Sequence, residues 1–425
     1  MSTATLAIII VLCTCILYML ELFPVSVTTM IGMLAMVYSG VLTPAQAFSG
    51  FTNTAVLLVI GMVIIIDALL DCGLANRIGQ LLNHYIGGNE KVFVVVIFLT
   101  ASFLSMFMTN VSLVAMMMPL ISSIAVASGG RITRKNTYLP LAMGGLIGGT
   151  GTLAGSTAPL LANNALEQVG AKTMSFFTPL PVAFAIVAVV SVCYLLFLYK
   201  FQVRFFDFPE TEGSEKEAIK DKSINHRNAV ITVTVFLICV VLFIIQPFGW
   251  ELGQIAVTGA LVLVLTKCVD GKKALREMHW SAIITLGSAL GIATGFVNSG
   301  VGELIIHKMI ETMGESAANP VLLMTVFLVA GYVLSLFMSN GSLVAMLASI
   351  AVPMAVEIGA NPMPMALACV YGVSLAMATP AATTTITMVQ VAGYRFKDYF
   401  RVGGLVGIIG MITAWVTLVV VYRMI

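Results

Sequence analysis

The chain has 425 residues, of which 59% are hydrophobic and only 9% are charged. A water-soluble domain of this length does not keep that balance, so the composition excludes a soluble globular protein and predicts a chain in contact with a lipid bilayer. The formal net charge of +2 comes from basic residues spread over short loops, which argues against nucleic acid as a partner.

Simple transmembrane spans are predicted wherever an apolar run is long enough to cross about 30 Å of hydrocarbon. The first of these runs has neither a basic segment before it nor a clear cleavage site after it, so we expect it to be retained. The predicted spans lie near residues 4–21, 24–42, 53–70, 178–199, 229–247, 254–268, 281–297 and 401–423.

The regions between these spans are too long or too interrupted to be single straight helices. Residues 91–127 and 319–359 are each long enough to enter the bilayer and return, with an Asn-centred break in the middle. Residues 137–168 and 362–391 each cross once and are interrupted by glycine, threonine and proline. The sequence therefore predicts two re-entrant helical hairpins, each followed by a broken transmembrane helix.

The same order of elements occurs twice along the chain. Residues 1–200 form a first repeat, residues 229–425 a second, and residues 201–228 a solvated cytoplasmic linker between them. An odd number of crossings in each repeat inverts the second relative to the first, so the two hairpins enter from opposite sides. The predicted fold is thus an all-α polytopic membrane protein with two inverted repeats.

The lysines and arginines predict the orientation, because cytoplasmic loops retain positive charge. With the N-terminus and C-terminus outside, 18 of the 21 basic residues lie on one side, and only Lys172, Lys308 and Arg423 lie opposite. The first hairpin is then cytoplasmic, the second is external, and the chain lies in the cell inner (plasma) membrane.

A sequence repeat lies at the centre of the two hairpins. Residues 104–116 read LSMFMTNVSLVAM and residues 334–346 read LSLFMSNGSLVAM, with ten of thirteen positions identical at an offset of 230. Chance similarity between apolar helices matches leucines and valines, and it does not produce the shared serines and asparagine. An ordinary capped turn is the alternative interpretation of one copy, whereas two equivalent copies favour a site.

The chemistry of such breaks follows from the bilayer. A helix that breaks in the membrane exposes backbone N–H and C=O groups, which is tolerated only where they line a cavity or bind a ligand. The helix that begins near Ser112 or Ser342 would direct its positive end at an anion such as a carboxylate. The carbonyls that end the preceding helix would suit sodium, with Asn and Ser oxygens completing the shell.

The broken spans supply the second element of each site. The segment GGLIGGTGTLAGSTAP at residues 144–159 has six glycines and is expected to unwind near Gly155-Ser156-Thr157. The segment MATPAATTT at residues 377–385 contains Pro380, followed by a run of hydroxyl side chains. A proline-kinked packing helix is the alternative interpretation of these segments.

At these residues the sequence resembles the divalent anion/sodium symporter (DASS) family of the ion transporter superfamily, which carries dicarboxylates, citrate and sulfate. In that family each hairpin tip carries Ser-Asn-Thr, and tip and following loop together hold a sodium ion and one end of the anion. The resemblance covers essentially the whole chain. It implies sodium-coupled symport by an elevator mechanism, usually within a homodimer, with no cofactor other than the coupling ion.

The resemblance also implies site residues, transferred by position. The first sodium site would use Ser105, Thr109, Asn110 and the Gly155 carbonyl. The second would use Ser335, the Met338 carbonyl, Ser339, Asn340 and the Ala378 carbonyl. The substrate would contact Thr109, Asn110, Ser156, Thr157, Ser339, Asn340, Thr379 and Pro380.

The tips depart from the family pattern. Val111 and Gly341 both lack the third hydroxyl, which makes the expected substrate contacts less polar than in a typical dicarboxylate carrier. Either the anion differs, or main-chain N–H groups and the hydroxyls of Ser112, Ser342 and Thr157 do more of the binding.

Four alternatives stay open beside sodium-coupled carriage of a di- or tricarboxylate. The protein could exchange anions without a cation gradient, or carry an inorganic anion such as sulfate. Asp67 lies inside an apolar span, so it is a candidate for proton coupling, although solvation at the helix end explains it equally well. An intramembrane enzyme is the remote alternative, because the sequence contains neither HExxH nor GxGD.

Overall fold

A computed structural model describes residues 3–20, 22–71, 89–209, 226–278, 280–300, 319–336, 340–379 and 383–422. Every regular element within these ranges is a helix, so the all-α prediction is confirmed. A helix satisfies its backbone hydrogen bonds internally, which is what an apolar chain needs in a medium without water.

The first half of the chain contains long apolar helices separated by short connections. Its helices are α1 (Thr3–Leu20), α2 (Val25–Tyr38), α3 (Pro44–Phe48), α4 (Thr54–Asp71), α5 (Glu90–Ser105), α6 (Asn110–Ala127), α7 (Arg134–Gly149), α8 (Thr157–Gln168), α9 (Leu180–Cys193) and α10 (Tyr199–Phe205). A π-helical turn, Tyr194–Leu198, joins α9 to α10 without interrupting the rod.

The second half follows a similar order. Its helices are α11 (His226–Ile245), α12 (Leu252–Leu265), α13 (Gly271–Glu277), α14 (Trp280–Asn298), α15 (Pro320–Ser335), α16 (Asn340–Glu357), α17 (Pro362–Ser374), α18 (Thr384–Met388), α19 (Phe396–Asp398) and α20 (Gly404–Val421). A second π-helical turn, Tyr399–Gly403, joins α19 to α20.

Four continuous helical stretches of the described residues are long and apolar enough to cross a membrane. They are Pro44–Leu69, Leu180–Phe205, Arg227–Ile245 and Phe396–Val421. Other apolar helices come in pairs separated by a break, as in the two hairpins.

The breaks occur where the local sequence can cap a helix end. Thr109 is extended and its hydroxyl accepts the Ser112 N–H, so it ends the preceding turn and begins α6. Thr383 begins α18 in the same way, by accepting the Ile386 N–H. Between α7 and α8 the chain is non-helical from 150 to 156, which includes the predicted unwinding at Gly155-Ser156.

Helix α10 continues to Phe205, several residues into the segment predicted as linker. Two interactions explain why the helix persists. Gln202 is fully buried and its Nε2 donates to the Asn136 carbonyl at 2.9 Å, while Lys135 Nζ donates to the Phe208 carbonyl at 3.0 Å. Residues 210–225 of the predicted linker lie outside the described residues, and its last three residues, 226–228, already belong to α11.

The helices can be grouped into two units according to which of them are in close contact through glycine residues. We call residues 3–71 and 226–300 the frame, and residues 89–209 and 319–422 the site unit. In the frame, a Cβ added to Gly61 would lie 2.3 Å from the Ala256 backbone. In the site unit, a Cβ added to Gly372 would lie 2.4 Å from the Leu328 carbonyl oxygen.

Glycine at such positions allows helices to approach until their backbones touch. Among the described glycines, every neighbour that a Cβ would meet lies in the same unit as the glycine. Each half of the sequence contributes helices to both units.

Candidate anion and cation site

The first hairpin tip is held by a hydrogen bond between its two helices. Ser105, the last residue of α5, donates its hydroxyl to Asn110 Oδ1 at 2.6 Å, and Asn110 is the first residue of α6. Ser105 is fully buried, so this bond satisfies a hydroxyl that has no access to water. The Asn110 side chain is thereby fixed at the break, where sequence reasoning placed it.

The second tip repeats this bond at an offset of 230 residues. The Ser335 hydroxyl, also fully buried, donates to Asn340 Oδ1 at 2.6 Å. The predicted ligands Met338 and Ser339 lie outside the described residues. Both tips therefore present an asparagine at the first position of a helix, with its amide oxygen bonded to a buried serine.

The broken helix of the first half lies directly against the first tip. A Cβ added to Gly149 would lie 2.2 Å from Asn110 Oδ1, so the asparagine occupies the place of a side chain. A Cβ added to Gly155 would lie 2.3 Å from the Ser105 carbonyl oxygen and 2.5 Å from the Gly149 carbonyl oxygen. Gly155 thus packs directly against the Ser105 and Gly149 carbonyls.

These contacts bring several neutral oxygens together. The Ser105 and Gly149 carbonyls and the Ser105 hydroxyl lie around Asn110 and Gly155. Carbonyls at unwound helix ends, together with neutral side-chain oxygens, are the ligands that transporters use for sodium. Gly149 was not among the residues singled out from the sequence.

Two threonines tie the broken helices to the ends of the hairpins. Thr152 donates its hydroxyl to the Met106 carbonyl, and Thr379 donates to the Leu336 carbonyl at 2.9 Å. Each carbonyl belongs to the residue that follows the first hairpin helix, where the helix leaves it unsatisfied. Thr379 is therefore fixed by the tie, while Thr152 is an equivalent residue that sequence reasoning missed.

The sequence offset between these two threonine hydrogen bonds, which we call the ties, differs from the offset between the two tips. The ties are related by 227 residues, whereas the tips are related by 230. At the offset of the ties, the counterpart of Gly155 is Ala382, which lies outside the described residues together with Pro380. Ala378, to which the second sodium site was transferred, lies just before the tie and is 3% exposed.

Two hydroxyls at the start of α8 are available for a ligand. Ser156 Oγ is buried and has no hydrogen-bond partner among the described residues. Thr157 is the first residue of α8. Its Oγ1 lies 3.6 Å from the position of a Cβ added to Gly341, so the broken helix of one half meets the tip of the other.

The side chains that the structure describes at the two tips and at the start of α8 are uncharged. The described part of the chain contains no cluster of three His, Cys, Asp or Glu side chains that could hold a metal ion. Asp67 lies half-buried on α4 in the frame, and it has interactions of its own there. The oxygens that converge at the first tip are carbonyl, amide and hydroxyl groups.

Comparison with known proteins gives matches along most of the chain. A family model described as a citrate transporter matches residues 15–372. An uncharacterized transporter of Haemophilus influenzae is 25% identical over 419 residues, which is 93% of this chain and 87% of the relative. The sodium-dependent dicarboxylate transporter SdcS of Staphylococcus aureus is 23% identical over 440 residues, 95% of this chain and 83% of SdcS.

A solved structure has a similar fold. The crystal structure of the Alcanivorax borkumensis YdaH transporter, described as having an unusual topology, superposes with a TM-score of 0.65. The match covers 92% of this chain and 89% of the other, at 14% sequence identity.

Proposed function

Since this chain belongs to the citrate transporter family, we propose that it is a secondary transporter that carries a di- or tricarboxylate together with sodium. The family and the named relatives are transporters and not enzymes, and the chain is a multi-pass membrane protein. The observation that carries the proposal is the pair of equivalent tips, in which a buried serine fixes an asparagine at 2.6 Å.

Anion binding is supported by the donors that the first tip and its broken helix leave free. Because Asn110 Oδ1 accepts from Ser105, the Asn110 amide nitrogen is free to donate. Thr109 caps the Ser112 N–H, so the N–H groups of Asn110 and Val111 are the ones at the start of α6 without a partner in the helix, and the positive end of the helix favours a carboxylate. The Ser156 hydroxyl, which has no partner among the described residues, and the neighbouring Thr157 hydroxyl add neutral donors to this set.

Sodium coupling is supported by the oxygens around Gly155. The Ser105 and Gly149 carbonyls converge there without a titratable carboxylate, which favours sodium over a proton as the coupling ion. The sodium dependence in the name of the relative SdcS agrees with this assignment. We assign the equivalent site of the second half to Ser335, Asn340 and the segment between them.

Movement of the site unit against the frame is the mechanism we propose. Backbone contacts through glycine hold each unit together, whereas two hydrogen bonds between side chains connect the units. Asn53 Nδ2 donates to Asn164 Oδ1 at 3.3 Å, and Gln168 Nε2 donates to Thr294 Oγ1 at 3.1 Å. Such amide contacts can separate and form again during an elevator motion, which two inverted repeats and a homodimer would support.

The proposed orientation follows from the distribution of basic residues. We place the protein in the inner (plasma) membrane with both termini external and the first hairpin cytoplasmic. In that orientation the substrate reaches the second tip from outside and the first tip from the cytoplasm.

Uptake into proteoliposomes tests the function directly. Labelled succinate, citrate, malate and sulfate are offered with an inward sodium gradient and, in parallel, with the same gradient of choline. We expect accumulation of at least one carboxylate with sodium, and none with choline. Counterflow that persists in sodium-free buffer would show exchange instead, and flux of sulfate alone would replace the proposed substrate class.

A further inference from the structure

Four contacts between α5 and α7, or the residues just after them, join positions that are 46 residues apart. Two of them are hydrogen bonds, and two are close approaches of a glycine to a carbonyl oxygen. In order along the helices, the pairs are Glu90–Asn136, Phe98–Gly144, Ser102–Gly148 and Met106–Thr152. The constant separation means that the two helices run parallel and keep one register along the 16 residues of α5, about 24 Å.

This register sets the spacing of two oxygens in the proposed sodium site. Ser105 ends α5 and Gly149 ends α7, so their carbonyls belong to different helices. A Cβ added to Gly155 would lie 2.3 Å from the Ser105 carbonyl oxygen and 2.5 Å from the Gly149 carbonyl oxygen. Movement of α5 along α7 would therefore change the separation of these two carbonyls.

The glycines on α7 do not hold the register by themselves. Gly144 and Gly148 allow the two backbones to touch, but they contribute no side chain that resists sliding along the helix axis. Polar contacts at the two ends resist sliding, because any movement would break them. At the tip end the contact is the tie between Thr152 and Met106.

At the opposite end, both carboxylate oxygens of Glu90 accept hydrogen bonds. Oε1 accepts the Thr133 N–H at 2.7 Å and the Thr133 hydroxyl at 2.5 Å. Oε2 accepts from Asn136 Nδ2 at 3.0 Å and from the Tyr199 hydroxyl at 2.6 Å. Thr133 is the N-cap residue of α7 and Tyr199 begins α10, so one carboxylate joins three helices. Hydrogen bonds to an ionised carboxylate are stronger than neutral ones.

We propose that Glu90 is a positioning residue for sodium at the first tip: by fixing α5 against α7 and α10, its carboxylate sets the separation of the Ser105 and Gly149 carbonyls. The inference rests on the proposed sodium-coupled function. It concerns the first half of the chain only, because the equivalent residue at the offset of 230 is Pro320, which has no side-chain acceptor.

The test is a sodium titration of the thermal midpoint of the purified protein, with choline chloride holding the ionic strength constant. Sodium that binds the native state raises the midpoint. We expect Glu90→Ala to raise the sodium concentration at half-maximal effect by about tenfold, the size typical of removing a residue that orients metal ligands. Tyr199→Phe, which removes one of the four donors, is expected to give a smaller rise.

Glu90→Gln is the conservative variant. Its amide oxygen can still accept from Thr133, and its NH₂ group can donate to Asn136 Oδ1, which is buried and has no hydrogen-bond partner among the described residues. We therefore expect it to restore most of the wild-type sodium response. Glu357→Ala is the matched control, because Glu357 is an exposed acid at the end of α16 in the same unit.

A purely structural role of Glu90 would lower the midpoint itself without changing the sodium concentration at half-maximal effect. That result in Glu90→Ala, or in Tyr199→Phe where Glu90→Ala does not fold, would overturn the role of Glu90 and leave the transport function intact. A wild-type protein whose midpoint and carboxylate uptake both ignore sodium would instead reject sodium coupling, and this inference with it.

Discussion

Replacement of Asn110 by alanine is expected to lower sodium-driven carboxylate uptake by about 10- to 100-fold. The change removes the amide group at the first tip and leaves the fully buried Ser105 hydroxyl without its acceptor. A hydrogen bond from the Asn110 amide to a charged carboxylate contributes roughly 1.5–3 kcal/mol to binding, and each 1.4 kcal/mol is about a factor of ten. Initial uptake rates at matched protein incorporation measure the effect.

The second tip offers a parallel measurement. Asn340→Ala is expected to produce a loss of similar size, because Ser335 is equally buried and bonds Asn340 at the same 2.6 Å. Asn319→Ala is the control, since Asn319 caps the exposed start of α15 and lies far from the tip in sequence. Near wild-type uptake in both tip variants would contradict the assignment of the tips as the binding site.

Substitution of Gly149 by alanine is expected to abolish uptake and to lower the thermal midpoint. The new Cβ would lie 2.2 Å from Asn110 Oδ1, a separation that atoms do not tolerate. Either α7 moves away from the hairpin or Asn110 rotates out of its bond with Ser105, so the oxygens around Gly155 lose their arrangement. Uptake and thermal unfolding of the purified protein are the two measurements.

Gly145→Ala is the matched control one turn earlier on α7. Its Cβ would meet the flexible end of Leu113 at 3.3 Å, which the leucine can yield by a small rotation. We expect this variant to retain most of its uptake and its thermal midpoint. Equal behaviour of the two glycine variants would show that the close approach of Gly149 to Asn110 has no particular role.

The tips were predictable because their determinants are local. Serine and asparagine five residues apart at a helix break can bond within one short segment, and two identical segments are expected to do so alike. The capping threonine, Thr109, follows from the same short-range logic, as does the break that it produces. The repeated sequence therefore forms the same Ser–Asn hydrogen bond in both tips.

The ties between hairpin and broken helix were not predictable, because they join residues far apart in the chain. Thr152 bonds Met106 and Thr379 bonds Leu336, and no spacing rule singles out these pairs. A single fixed offset also fails, since the connection between tip and tie differs in length between the halves. Transfer of the second sodium site to Ala378 depended on such an alignment.

The division into a frame and a site unit was hidden for a related reason. A glycine that permits close packing can be identified only when its partner is known. Gly61 packs against Ala256, which lies in the second half of the sequence. Composition predicted that helices would pack in lipid. It could not say which pairs touch through their backbones and which only through side chains.

A density map of the protein with sodium and citrate tests the central claim most directly. The account predicts anion density between Asn110 and Asn340, within hydrogen-bonding distance of Ser156 or Thr157, and a sodium ion beside Gly155. Citrate resolved elsewhere, or a dry apolar contact between the two asparagines, would contradict it.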